Sequence, residues 1–211
     1  SKAMERTLAM FLKENPFDYD AEQLCRLKQE IDHPQDGRSS DEKIDCLLWQ
    51  RGQKSRQESL CCYVVRNFPC RRYPHLLEVG CGRQARLSQL LAQQGYQMSA
   101  IDPKLQRIPA HVEGIVASFH HARTPISSYD AVIAQEPCDA TEHIVRSCIR
   151  ERKDFVISLC AEAHQLISGE QPDSVEAWYR YLVSLDPAHT VIICPSIIPG
   201  YATPMMIGRF R

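Results

Sequence analysis

The sequence lacks any apolar run of the roughly twenty residues needed to cross a bilayer. Its first segment, SKAMERTLAMFLKENPF, interrupts its apolar residues with charges and does not resemble a signal peptide. An excess of one charge sign is also missing, because 25 basic residues stand against 26 acidic ones, for a net charge of −1. Domains that bind duplex nucleic acid are normally strongly basic. We therefore expect no membrane association, and nucleic acid is disfavoured as a partner.

Cysteine is plentiful, at ten residues, but the chain has no CxxC pair and no repeated metal-ligand spacing. Most of the cysteines lie in apolar runs, which favours reduced, buried thiols in a cytoplasmic protein over a disulfide framework. Cys81 is the exception, since glycines flank it on both sides. His120 and His121 are adjacent, so along a strand their side chains would point in opposite directions and could not easily share one metal. A solvent-exposed pair in a loop is the favoured interpretation. The sequence therefore predicts no metal site.

One stretch, numbers 75–103, contains the ordered parts of a nucleotide-binding βαβ unit. It reads as a strand over 75–79, the turn Gly80-Cys81-Gly82, a helix from Arg83 that stops near Gly95, and a second strand that ends in Asp102. Glycines allow a cofactor to approach the main chain closely, and the carboxylate of Asp102 can accept hydrogen bonds from both ribose hydroxyls. The alternative is a tight strand-to-helix connection followed by an exposed acid.

The residues Leu77-Glu78-Val79-Gly80-Cys81-Gly82 resemble motif I of the class I S-adenosylmethionine-dependent methyltransferases, a strand followed by (D/E)xGxGxG. Dinucleotide-binding dehydrogenases fit less well, because they have no habitual acid two residues before the first glycine. Gln84 stands at the position of the third glycine. The resemblance implies S-adenosyl-L-methionine as the cofactor. The cofactor-binding residues that it implies in this stretch are Glu78, Gly80, Cys81, Gly82 and Asp102.

After Asp102 strands and helices continue to alternate, which favours an α/β fold. We predict a doubly wound, mainly parallel sheet with a C-terminal antiparallel hairpin, formed by residues 71–211. The predicted strands cover 111–119, 129–134, 154–160, 190–194 and 204–210, and the predicted helices begin at a cap formed by Asp139 with Glu142 and at Ser174. Residues 1–70 are predicted to form a helical extension, with helices capped by Asp20 and by Ser39 and a third helix over 54–68. The extension either covers a substrate pocket or stabilises the domain.

Ligands of open α/β sheets bind beyond the carboxyl ends of the strands. Beyond the third predicted strand, Ser118 is a candidate to accept the adenine amino group and Phe119 to pack on the adenine ring. Beyond the fourth, Glu136 is a candidate to orient a nucleophile or accept its proton, and Pro137 to hold the loop. The segment around them is not the (D/N)PP(Y/F) motif of amino-group nucleic-acid methyltransferases. The alternative for Glu136 is a surface carboxylate beside the cap at Asp139.

These features predict an S-adenosylmethionine-dependent methyltransferase that acts on an unidentified small-molecule acceptor by in-line methyl transfer. The first alternative is a non-catalytic S-adenosylmethionine-binding or scaffold protein with the same fold, which the missing third glycine favours. The second is an NAD-dependent oxidoreductase. The spacing of the motifs assigns no oligomeric state.

Overall fold

The computed structural model describes residues 56–193 and 203–211. These residues form seven strands, four α-helices and one short 3-10 helix. In chain order they are α1 (Arg56–Asn67), β1 (His75–Val79), α2 (Arg86–Gln93), β2 (Gln97–Ile101), β3 (Val112–Ile115), β4 (Ala131–Gln135), the 3-10 helix (Cys138–Ala140), α3 (Thr141–Glu151), β5 (Asp154–Ser158), α4 (Val175–Ser184), β6 (Thr190–Ile193) and β7 (Met205–Gly208).

The strands form one sheet in the order β3-β2-β1-β4-β5-β7-β6. The pairs from β3 to β5 are parallel, whereas β7 runs antiparallel to both β5 and β6. This confirms the predicted doubly wound sheet with an antiparallel ending. The strand order reverses between β1 and β4, and a crevice for ligands forms at such a point, beyond the carboxyl ends of the strands.

Both faces of the sheet are covered, as parallel strands require. Helices α1 and α2 contribute Leu60, Val64 and Leu91 to the apolar core on one face. Helices α3 and α4 contribute Ile144 and Trp178 to the core on the other. All five residues of β5 are buried, and so are four of the five in β4. The apolar runs that predicted these strands therefore form the middle of the molecule.

Two predicted boundaries are wrong for local reasons. The helix after the glycine turn begins at Arg86 and not at Arg83, because Ala85 has a left-handed backbone with φ of 47°. The third strand ends at Ile115 rather than at Phe119. Among the described strands it pairs with β2 alone, and β2 ends at Ile101, the partner of Ile115.

The predicted cap of the helix after β4 is also wrong. The residue before α3 is Ala140, which makes no side-chain capping bond, and Asp139 belongs to the 3-10 helix. By contrast, the hydroxyl of Ser174 accepts a hydrogen bond from Ala177 N and caps α4 where the sequence predicted that helix to begin.

The helix predicted over 54–68 is confirmed by α1, while the predicted helices capped by Asp20 and Ser39 lie outside the described residues. Helix α1 packs against α2, and its Leu60 and Val64 are fully buried. The proposed division of the chain at residue 70 stays a prediction. Within the described part of the chain, no helix is long and apolar enough to span a membrane.

Candidate functional site

The turn between β1 and α2 lies at the carboxyl edge of the sheet, beside the switch from β1 to β4. Gly80 and Gly82 both have φ of +73°, a conformation that side chains disfavour. A Cβ at Gly80 would lie 3.3 Å from Cα of Pro137, so the loop after β4 packs directly on the turn. A Cβ at Gly82 would meet no atom within 4 Å. The main chain at Gly82 therefore borders open space, as a cradle for a ligand requires.

The carboxylate of Asp102, at the end of β2, lies against this turn. Its Oδ2 accepts a hydrogen bond from Gly82 N at 2.9 Å, and its Oδ1 accepts one from Lys104 N at 2.7 Å. Each carboxylate oxygen can accept a further bond. Asp102 thus holds the turn in place and retains acceptor capacity for a ribose hydroxyl.

Glu78 lies beneath the turn and is 3% exposed. Its Oε1 accepts hydrogen bonds from the main-chain N of Ser88, at 3.1 Å, and from the Ser88 hydroxyl, at 2.7 Å. Burial raises the pKa of this carboxyl to about 7, although the bonds from Ser88 oppose that change. These contacts tie β1 to the first turn of α2, so Glu78 positions the helix that follows the turn.

The residues after Gly82 depart from the glycine-rich pattern at the position of the third glycine. Gln84, at the third-glycine position, is exposed, and the left-handed conformation falls on the next residue, Ala85. The carbonyl of Arg83 accepts hydrogen bonds from the main-chain N of Gln106 and of Arg107. The loop after β2 therefore holds the end of the glycine turn through these two hydrogen bonds.

The thiol of Cys81 is mostly buried between the two glycines. Burial, then the nearby Glu78 and Asp102, raises the pKa of Cys81 to about 12. The thiol therefore stays protonated near neutral pH, which makes it a packing group rather than a nucleophile.

Ser118 and Phe119 follow β3, but they differ in their exposure to solvent. Ser118 is exposed, so its hydroxyl can accept a bond from a ligand beyond the strand. Phe119 is only 6% exposed and packs in the core with Val79 and Ile101. Little of its ring is therefore open for stacking on a ligand.

Glu136 and Pro137 begin the loop after β4. Glu136 has a left-handed backbone with φ of 46°, and its Oε1 forms an ion pair with Arg56 of α1 at 2.9 Å. Both side chains in the pair are about one-third exposed, at 32% and 34%. The pair joins the first described residue of α1 to the loop after β4, close to the turn at Gly80.

His120 and His121 form a loop pair, as the favoured interpretation of the sequence predicted, although each is partly buried rather than fully exposed. They lie in a loop beyond β3, where their rings stack at a centroid distance of 4.7 Å. Nδ1 of His121 lies 2.8 Å from Nδ1 of His143 on α3, a hydrogen-bonding distance. Burial, followed by the two neighbouring histidines, lowers the pKa of His143.

The structure also brings together three residues that the sequence did not connect. Cys138, Cys160 and His164 each offer a ligand atom, and these atoms lie within 4.8 Å of one another. Cys138 lies in the 3-10 helix, whereas Cys160 and His164 lie beyond β5, 22 and 26 residues further along the chain. One signal could have predicted this contact. If β4 and β5 are parallel neighbours, the segments that follow them meet at the same edge of the sheet.

A cavity of about 360 Å³ lies elsewhere, along the outer side of α3. Its lining residues are His121, Arg146, Ile149, Arg150, Ile167 and Leu185. None of them belongs to the glycine turn or to the loop after β4. We therefore place the candidate site at the carboxyl edge of the sheet, on the basis of the open glycine and its carboxylate partner.

No protein-family model and no curated protein sequence matches the chain. Solved structures do match it. The plantazolicin methyltransferase BpumL, in complex with SAH, aligns over 100% of both chains at 9% identity, with a TM-score of 0.50. Magnesium protoporphyrin IX methyltransferase from Synechocystis PCC 6803, with bound SAM, covers 88% of this chain and 90% of its own at 14% identity (TM-score 0.46). The 1,6-didemethyltoxoflavin-N1-methyltransferase of Burkholderia thailandensis covers 76% and 82% at 14% identity (TM-score 0.45).

At these identities a structural likeness shows the fold alone. BpumL, which aligns over the full length of both chains, therefore shows the fold of this chain and not its activity. The chain has the fold of the class I S-adenosylmethionine-dependent methyltransferases, as the motif I residues predicted.

Proposed function

We propose that this chain is an S-adenosyl-L-methionine-dependent methyltransferase acting on a small-molecule acceptor. The observation that carries the proposal is the open space over Gly82 beside the carboxylate of Asp102. A main chain without side-chain cover accepts the close approach of a ligand, and a carboxylate at the end of the next strand suits a ribose. The likeness in fold to a methyltransferase solved with SAH agrees with this choice of ligand.

The chain's residues suit the separate parts of that ligand. Gly82, Cys81 and Gly80 line its path across the end of β1, and Asp102 takes the ribose. Ser118 accepts the adenine amino group, and buried Phe119 supports the adenine from below. Glu78 does not contact the ligand in this proposal. It positions the start of α2 through its hydrogen bonds from Ser88.

When bound, S-adenosylmethionine supplies a methyl carbon made electrophilic by its sulfonium. The protein's part is then mainly to hold an acceptor in line with that carbon. Pro137 packs on Gly80, so the loop after β4 holds a fixed position beside the glycine turn. Glu136 is the group in that loop that orients an acceptor or takes its proton. Arg56 pairs with Oε1 of Glu136, so we assign Oε2 to the acceptor.

A small molecule is the proposed acceptor because the chain's net charge is −1 and offers no general attraction to nucleic acid. Helix α1 reaches the same edge of the sheet through the Arg56–Glu136 pair. The first turn of α1 is thus placed to limit the size of the acceptor.

The second candidate is a protein that binds S-adenosylmethionine without transferring its methyl group. Two observations favour it: exposed Gln84 replaces the third glycine, and an arginine already pairs with Glu136. Both candidates share the cofactor site and differ only at the acceptor side.

Calorimetric titration of the full chain with S-adenosylmethionine, S-adenosylhomocysteine and NAD tests the shared site. We expect binding of the first two and a clear loss of affinity in Asp102→Ala. The matched control is Asp130→Ala, because Asp130 also accepts a main-chain N–H, from His75, but lies at the opposite edge of the sheet. A preference for NAD, or equal binding by Asp102→Ala and wild type, would refute the cofactor assignment.

A panel of small-molecule acceptors with a methyl-labelled donor tests transfer itself. Turnover that falls in Glu136→Gln, at unchanged affinity for the donor, supports the enzyme. Donor binding without labelled product across the panel would instead support the non-catalytic candidate.

A further inference from the structure

We propose that Cys138, Cys160 and His164 form a binding site for Zn²⁺ at the carboxyl edge of β4 and β5. Two thiolates and an imidazole are ligands that zinc prefers, and three protein ligands leave a fourth position open. The three ligand atoms already lie within 4.8 Å of one another. The site does not depend on the proposed methyl transfer.

The distance between the two sulfurs fits a tetrahedral zinc ion. Sγ of Cys160 lies 3.9 Å from Sγ of Cys138. With Zn–S bonds of about 2.3 Å, two sulfurs on a tetrahedral ion are separated by about 3.8 Å. A disulfide requires about 2.05 Å, so the sulfurs are spaced for a shared ion rather than for a bond to each other.

His164 has the carboxylate partner that a zinc-binding histidine usually has. Its Nδ1 lies 3.1 Å from Oδ1 of Asp139, and this pairing leaves Nε2 for a metal. Zinc-ligating histidines almost always give their other nitrogen to a carboxylate or carbonyl, which sets the tautomer and turns the ring. The ring also packs beside Trp178, at a centroid distance of 5.4 Å. Asp139, which does not cap α3, thereby acquires a positioning role.

The two cysteines are held by contacts of their own. The hydroxyl of Tyr179 donates to the carbonyl of Cys160 at 2.7 Å, and that of Thr141 donates to the carbonyl of Cys138 at 2.8 Å. Cys138 also has a left-handed backbone, with φ of 55°. A strained conformation of this kind persists only where surrounding contacts hold it, and such positions cluster at functional sites.

The cluster of His120, His121 and His143 is a weaker candidate for the same ion. Nδ1 of His121 and Nδ1 of His143 are 2.8 Å apart, which suits a shared proton. Two nitrogens on a tetrahedral zinc would stand about 3.3 Å apart, given Zn–N bonds of about 2.0 Å. Arg150 also contacts this cluster, through the carbonyl of His121, and adds positive charge. The experiment must therefore separate the two clusters.

The test uses the full chain, reduced with a phosphine and freed of metal, then titrated with Zn²⁺ against a chromogenic chelator. We expect one equivalent of zinc, lost in Cys138→Ser and in His164→Gln. Two matched controls, Cys70→Ser and His143→Gln, should retain it, since Cys70 bonds Gly95 and lies outside the site. Circular dichroism checks that each variant is folded.

Co²⁺ in place of Zn²⁺ should give a thiolate-to-cobalt charge-transfer band and the visible bands of a tetrahedral ion, both absent in Cys138→Ser. Asp139→Asn should weaken zinc binding roughly 10–100-fold while leaving the stoichiometry unchanged. That pattern would identify a positioning residue.

Three results would overturn the zinc site. They are no tight equivalent in the reduced chain, zinc binding that survives both Cys138→Ser and His164→Gln, and loss of binding in His143→Gln alone. A disulfide between Cys138 and Cys160 before reduction, together with no zinc binding after reduction, would replace the metal site with a redox pair. The zinc titration needs no methyl donor. A failure to bind zinc would therefore refute the zinc site without bearing on the proposed methyl transfer.

Discussion

The carboxyl group of Glu78 lies inside the molecule, directly below the turn that we propose binds the cofactor. Burial raises the pKa of Glu78 to about 7, from an ordinary 4.5. Between these two pH values the folded chain binds more protons at this group than the unfolded chain does. The free energy of unfolding therefore falls as the pH rises through 7, and the contribution of Glu78 is fully present only below about 4.5.

Replacing Glu78 with Gln removes this dependence while keeping an oxygen for Ser88. We expect Glu78→Gln to gain stability relative to wild type as the pH rises, by about 3 kcal/mol once the carboxyl is ionised. Urea unfolding of both proteins across this pH range measures the difference. A difference that stays constant with pH would show that the carboxyl is not protonated in the folded chain.

Glu142 supplies a control of opposite sign. Burial alone would raise its pKa, but hydrogen bonds from Arg146, from Ile167 N and from Tyr181 outweigh burial and lower the pKa. Its contribution to stability is present above the ordinary glutamate range and is lost as the pH falls through the folded value. Glu142→Gln should thus be less stable than wild type near neutrality, with the gap closing in acid.

At the scale of elements, the feature that the pattern of strands did not predict is the place of β7. The last two strands form a hairpin, as expected, but β7 lies between β5 and β6. Gly208 of β7 stands opposite Phe155 of β5, and the ring of Phe155 fills the space where a side chain at Gly208 would lie. The glycine thus allows the insertion of β7 beside an aromatic residue that is fully buried.

A methyl group at this position should overpack the sheet. We expect Gly208→Ala to lower the free energy of unfolding by about 2–3 kcal/mol. The matched control is Gly114→Ala in β3, where the group that must move is the flexible end of Ile108, a side chain 50% exposed. That variant should cost less than about 1 kcal/mol. Equal losses in denaturant unfolding would contradict the role given to Phe155.

At the scale of the whole molecule, Asp154 ties together distant parts of the chain. It is fully buried at the start of β5. Its Oδ2 accepts a hydrogen bond from the hydroxyl of Tyr73, at 2.6 Å, and its Oδ1 accepts one from Phe210 N, at 2.7 Å. Arg209 adds a positive charge at 3.6 Å. One carboxylate thus joins the segment before β1, the start of β5 and the segment after β7.

Asp154→Asn replaces one acceptor with a donor and leaves a buried group without a partner, which should cost about 2 kcal/mol. Asp130→Asn should cost less, because the side chain of Asp130 is 26% exposed and water can replace the lost bond. Thermal unfolding measures both variants. Since Asp154 lies at the edge opposite the glycine turn, affinity for S-adenosylmethionine should not change, and a loss of affinity would contradict this separation.

The sequence alone determined the strands of the sheet, though not the place of β7 among them, and the position of the glycine turn. Both follow from local chemistry: apolar runs form buried strands, and the order of strand, glycines, helix and acid is written within about thirty residues. The same local signals misplaced the start of α2 and the end of β3. Those bounds depend on the conformation of Ala85 and on where β2 ends.

The tertiary structure alone decided which distant side chains meet. It set Arg56 against Glu136, and it gathered Cys138, Cys160 and His164 at one edge. No spacing in the sequence encodes the contact of Arg56 with Glu136, or that of Cys138 with Cys160 and His164, because these contacts join parts of the chain that are far apart in sequence. The sequence therefore predicts where a cofactor would bind. Which side chains could contact an acceptor or a metal ion is decided only when the chain folds and the ends of the strands come together.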